Sequence, residues 1–325
     1  MLDQYVRIAV CFAFGLVLAG GLLTEIGRAQ GVVHPPGSFV KVNSANLWVE
    51  SEGTGKPILL IPSGPGYSHD YFHPQFTALA DEYKVIYFDA FGRGKSERAK
   101  APSEYTFKRD VEEIEGLRKA LGLNKMIVFG HLYGGMVAIA YATKYPDRVD
   151  KLILGNTQFS AESWQSYNDA YNEMLRNQFP EASEKVLGLR AQGFHSSSPE
   201  VQKALQGLAT GRMISFYDAS NRFKLNTPSG AFNSDVWYVM GGDDCDFQVK
   251  GELAKLDFRV QLKELKPPVL VFAGRFDRGF LPRFAIQYKR YAPQAQFVMF
   301  EKSGHFPWVE ETTEVFTTIK AFLSR

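Results

Sequence analysis

Gly130 and Gly134 flank a single residue, Leu132, in Val128-Phe129-Gly130-His131-Leu132-Tyr133-Gly134-Gly135, a run that follows an apolar stretch and leads into a helical pattern. Glycine two before and two after the apex is what a strained strand-to-helix turn needs, because a side chain at either place would collide with neighbouring backbone. Such a turn lifts a Ser, Cys or Asp nucleophile clear of the sheet. Leucine has no lone pair to offer and no proton to lose. The partners of a nucleophile are nevertheless in place. Val269 to Ala273 reads as a strand ending in Gly274-Arg275-Phe276-Asp277, the place for a carboxylate that orients a histidine. His305, in Ser303-Gly304-His305-Phe306-Pro307, follows the strand-like Gln296 to Phe300 and lies 28 residues beyond Asp277, room for one helix and one strand. The other five histidines, His34, His69, His73, His131 and His195, lack this strand-end context and read as mostly structural or exposed.

Ile61-Pro62-Ser63-Gly64-Pro65-Gly66 follows another buried run, where a backbone N–H must face a developing oxyanion. Gly64 is the candidate donor, partnered by the N–H of Tyr133. Asp89-Ala90-Phe91-Gly92-Arg93-Gly94-Lys95-Ser96 lacks the spacing of a phosphate-binding loop and reads as a tight structural loop.

These residues need a scaffold, and the patterning describes one. Phe39 to Val49 alternates apolar and polar residues, as an edge hairpin would. Pro57 to Ile61, Lys84 to Phe88, Met126 to Phe129 and Lys151 to Leu154 are short apolar runs of the kind buried on both faces of a parallel sheet. Helical periods over Tyr105 to Leu121 and Met136 to Tyr145 alternate with them. From Phe159 to Leu256 the chain is polar, aromatic-rich and helical in pattern, which predicts an inserted cap; residues 30–158 and 257–325 form the two parts of the core, closed by a helix over Val315 to Leu323. The order apex, Asp, His along an α/β chain fits the α/β-hydrolase fold.

Composition narrows the partners. The 325 residues carry 37 Lys plus Arg against 35 Asp plus Glu, so the charge of +2 gives no basic field for nucleic acid. Two cysteines, Cys11 and Cys245, exclude a disulfide framework and a thiolate metal cluster. No motif requires a cofactor or a metal. Ile8 to Leu23 is an uncharged apolar stretch behind Arg7, shorter than the ~20 residues a spanning helix uses, and Gly27-Arg28-Ala29 offers a small-x-small cleavage pattern. Residues 1–29 therefore read as a signal peptide cut after Ala29, giving an exported, periplasmic or secreted chain without stable membrane association. The alternative is an uncleaved N-terminal membrane anchor.

The sequence resembles the prolyl aminopeptidases (proline iminopeptidases) and their tricorn-interacting relatives across nearly the whole mature chain. Gly64-Pro65-Gly66-Tyr67-Ser68-His69-Asp70-Tyr71 is similar to that family's Gly-Gly-Pro-Gly-x-Ser-His-x-Tyr signature, and Asp89 to Ser96 to its Asp-x-x-Gly-x-Gly-x-Ser loop. Gly304-His305 resembles its catalytic histidine motif. Met240 to Phe247 resembles the cap segment ending Gly-Pro-x-Glu-Phe, whose acidic side chain receives the substrate's α-amine; Asp246 takes that place, beside Trp237 and Tyr238. The resemblance implies hydrolysis of amide or ester bonds in small peptides or esters, with release of an N-terminal residue favoured. Departures are Leu132 for the nucleophilic Ser, Pro62 and Ser63 at the start of the oxyanion loop, Asp for Glu at 246, and a cap segment one residue longer. Three readings follow: a hydrolase without its nucleophile, a ligand-binding pseudoenzyme, or a His305–Asp277 general base working without a covalent intermediate.

Overall fold

The computed structural model describes residues 34–205, 215–228 and 230–325. The expected signal segment lies outside the described residues. Eight strands form one sheet: β1 (Gly37–Val42), β2 (Ala45–Glu52), β3 (Lys56–Ile61), β4 (Tyr83–Phe88), β5 (Met126–His131), β6 (Val149–Gly155), β7 (Val269–Gly274) and β8 (Gln296–Phe300). Their order is β1-β2-β4-β3-β5-β6-β7-β8. β1 and β2 are the expected hairpin, and β2 also meets β4 antiparallel, while every later pairing is parallel.

The apolar runs form strands because both faces of the sheet are covered. Along β3, Leu59 and Ile61 enter one core with α1 (Phe107–Ala120) and α2 (Tyr133–Lys144), where Ile114, Leu117, Met136 and Ile139 pack. Ile58 and Leu60 enter the other with Trp308 and the closing helix Thr312–Leu323, through Phe316 and Ile319. This alternation is the period of two that a strand imposes on its side chains. All six residues of β5 and of β7 are buried, which explains why these strands are apolar except for His131 at the end of β5.

Helix α2 starts at Tyr133, three residues before the apolar period suggested, because Leu132 at the turn is its N-cap. Between β6 and β7 the chain forms α3 (Ala161–Gln178), α4 (Pro180–Ala191), α5 (Pro199–Leu205) and α6 (Ser234–Gly241), with no strand among the described residues. Among the described residues no helix is long and apolar enough to cross a membrane.

Candidate functional site

The turn between β5 and α2 has the predicted strain. Leu132 stands at φ +49°, ψ −110°, in the left-handed half of the map that branched residues avoid. The glycines permit it. A Cβ on Gly130 would lie 2.5 Å from the Gly134 carbonyl oxygen, and one on Gly134 would lie 2.3 Å from that of Ile61 and 2.5 Å from that of Pro62. Leu132 is half-buried and lines a cavity of about 830 Å³ together with Ser63, Gly64, Gly279 and His305. Tyr133 is the first residue of α2, so its N–H has no acceptor within the helix. Its phenol points elsewhere and donates to Asp110 at 2.6 Å.

Asp277 follows β7 and His305 follows β8. His305 Nδ1 lies 2.9 Å from Asp277 Oδ2, with both side chains buried. The other Asp277 oxygen accepts the N–H groups of Gly279 at 2.6 Å and Phe280 at 2.8 Å. The Asn156 amide donates to Oδ2 at 2.6 Å. A carboxylate held by three such donors fixes the tautomer and orientation of its histidine. Asn156 gave no signal in the sequence beyond its place one residue past β6; it sits at φ +46°, a conformation asparagine tolerates better than most residues.

The segment after β3, which carries Ser63 and Gly64, is anchored on Tyr71. The Ser63 N–H donates to the Tyr71 hydroxyl at 2.6 Å, and that hydroxyl lies 3.2 Å from His131 Nδ1. His131 Nε2 in turn lies 3.2 Å from the His305 carbonyl. His131 thus occupies the end of a strand, against the sequence reading, although its contacts are structural. It is fully buried, and burial first, then the neighbouring His305, hold its pKa well below that of a free imidazole. The sequence reading names Tyr71 only within the family signature and His131 only as a structural or exposed histidine; their contact with each other and that of His131 with the His305 carbonyl span 60 and 174 residues and leave no signal in the sequence.

The acidic cap segment splits. Asp244 is buried and ion-paired with Arg190. Asp246 instead lines the cavity with Trp237 and Tyr238. These two rings serve as donors as well as walls: Trp237 Nε1 reaches Asp246 at 3.1 Å and the Tyr238 hydroxyl at 3.0 Å. Burial raises the Asp246 pKa above the ordinary carboxylate value, and the two hydrogen bonds work against that rise. Cys245 is a free, buried thiol, held in its neutral form chiefly by burial. The loop from Asp89 is structural, as read: Arg93 donates to both Asp110 oxygens at 2.8 and 2.7 Å and to the Pro65 carbonyl at 2.6 Å.

A mostly parallel sheet with a strained β5–α2 turn, an Asp after β7 and a His after β8 defines a class, and the comparisons agree with it. The family model described as alpha/beta hydrolase fold matches residues 56–312, and the chain belongs to that family. Within it the chain is similar to proline iminopeptidases. That of Heyndrickxia coagulans is 30% identical over 277 residues, 85% of this chain and 93% of the relative. That of Clostridium botulinum is 28% identical over 277 residues, 85% and 92% of the two chains. The crystal structure of the Mycobacterium smegmatis proline iminopeptidase matches with a TM-score of 0.69 at 22% identity, covering 89% of this chain and 98% of the other, a likeness of fold.

Proposed function

We propose that this protein is a proline iminopeptidase-like α/β-hydrolase in which the substrate pocket and the histidine–aspartate pair persist without a nucleophile. The observation that carries this reading is Leu132, held at the apex of an intact glycine-flanked turn and facing the same cavity as His305. In this reading His305 is the base, Asp277 orients it, the N–H groups of Gly64 and Tyr133 donate hydrogen bonds to a developing oxyanion, and Asp246 receives an α-ammonium. Leu132 supplies no atom that can form an acyl-enzyme, so the chain binds small peptides or amides bearing a free N-terminal amine and leaves them largely intact. Pairing an ammonium with a half-buried carboxylate gives a charge-assisted bond, while the aromatic wall covers a small apolar side chain.

The test uses the unaltered chain. An N-terminal proline amide should bind with measurable heat in calorimetry. Fluorophosphonate should label nothing. Weak turnover, at the 10³–10⁴-fold level that oxyanion donors and binding sustain without a triad member, is compatible. Stoichiometric labelling at any residue refutes the reading.

A further inference from the structure

On the far side of the Gly64–Tyr71 loop, three histidines and one glutamate converge where the sequence reading expected no metal. His34 comes from the lead-in to β1, Glu50 from β2, and His69 and His73 from the segment around the short helical turn Asp70–Phe72. One ligand atom from each lies within 4.8 Å of all the others. Glu50 Oε2 is the hub, at 3.0 Å from His34 Nδ1, 3.1 Å from His69 Nε2 and 3.4 Å from His73 Nε2. A tetrahedral ion bonded at ~2.0–2.1 Å has ligand–ligand edges of ~3.3–3.4 Å, so these separations are close to those of a coordination shell.

Hydrogen bonding alone leaves this cluster unsatisfied. His69 and His73 are completely buried, yet His69 Nε2 and both nitrogens of His73 have no hydrogen-bond partner. The 3.1 Å approach of His69 to Glu50 has the distance of a hydrogen bond but not its direction. Buried polar atoms are normally paired, and two unpaired imidazole nitrogens, His69 Nε2 and His73 Nε2, close to one carboxylate oxygen indicate a missing partner.

The surroundings are those of a metal site. Asp89 Oδ1 lies 2.8 Å from His69 Nδ1 and also accepts the His69 N–H at 3.0 Å, the carboxylate–histidine arrangement that orients a ligating ring. Trp48 Nε1 donates to Glu50 Oε1 at 2.7 Å, which occupies that oxygen and leaves Oε2 for the centre. Three neutral imidazoles and one carboxylate around a divalent ion leave one positive charge; Lys95, 3.4 Å from Glu50 Oε1, adds a second, and Asp89 beside His69 and Asp70 beside His34 face them.

We propose that His34, Glu50, His69 and His73 form a closed, four-ligand site for a zinc-class divalent transition ion. Imidazole-rich donor sets suit zinc, and also cobalt, nickel or copper, over calcium or magnesium. With all four positions filled by protein, the ion is structural: it ties the lead-in segment to β2 and to the loop that carries Gly64 and Tyr71. The site is separate from the cavity beside Leu132 and takes no part in the chemistry proposed there.

Full-length protein prepared without a histidine tag, stripped with chelator and titrated with Zn²⁺ should bind one equivalent and melt at a higher temperature. Co²⁺ should give the intense visible absorption of tetrahedral coordination. Glu50→Gln and His73→Gln should each weaken Zn²⁺ binding at least ~10-fold, with the exposed His195→Ala unchanged. If either variant fails to fold, the cobalt spectrum and stoichiometry of the unaltered chain decide. Absence of binding and of any thermal shift, a weak octahedral cobalt spectrum, or unchanged affinity in both folded variants would overturn the proposal.

Discussion

Asp246 shows how one residue's surroundings set its task. Burial disfavours its charge, while Trp237 and Tyr238 each donate to one of its oxygens; in the proposed function this carboxylate receives the substrate's ammonium. In a Leu132→Ser background, Asp246→Asn should raise KM for free-amine substrates by about 1.5–3 kcal/mol, the range of a hydrogen bond to a charged group, and leave neutral esters nearly unchanged. Equal losses on both would mean a damaged cap, and no loss would remove Asp246 from the amine site. The pH dependence has a definite sign. In the proposed function the ionised form binds the ammonium, so affinity should fall as pH drops through an Asp246 pKa lying above the usual carboxylate value. Substrate titrations with free and N-blocked amines across that range separate this loss from general acid effects.

At the scale of elements, the β5–α2 turn and the two loops after β7 and β8 depend on buried contacts that are sensitive to acid. His131, at the end of β5, faces His305 at a ring separation of 4.6 Å, meets the Tyr71 hydroxyl and the His305 carbonyl at 3.2 Å each, and packs on Phe306 and Trp308. Its native pKa is depressed by burial, whereas an unfolded histidine titrates near ~6.5. The unfolded chain therefore takes up a proton that the native state refuses, and stability that is full above pH ~6.5 declines as the pH falls below it. His131→Asn, which keeps a neutral polar side chain, should flatten the fall in melting temperature between pH 7 and 5; an unchanged slope would assign the acid sensitivity elsewhere. The same elements explain what the sequence discloses. β5 and β7 are legible because both faces are buried, and the turn is legible because backbone collision fixes glycine at 130 and 134. Asp277 and His305 are legible because each follows an apolar run. Asn156, Tyr71 and His131 are not, since their partners lie in loops and turns that only the fold brings to them, and His34, Glu50, His69 and His73 carry no spacing that predicts their meeting.

Across the whole molecule, the pocket rests on buried charge that links separate parts of the chain. Arg93 joins the segment after β3, at Pro65, to α1 through Asp110, and Tyr133 brings α2 into the same cluster. Arg93→Gln should cost about 3–5 kcal/mol, as expected when one partner of a buried pair is removed, measured as a loss in chemical unfolding. A loss under ~1 kcal/mol would show that the link is dispensable. With that framework intact, the inactivity proposed above comes down to a single side chain, Leu132. The most direct test is the turnover of proline-β-naphthylamide by Leu132→Ser beside the unaltered chain, with Asp277→Asn and His305→Ala added to the restored protein. The account predicts that serine brings acyl-enzyme turnover and fluorophosphonate labelling at position 132, and that each added change abolishes the turnover. A correctly folded Leu132→Ser protein that stays inert, or a restored enzyme indifferent to His305→Ala, would contradict it.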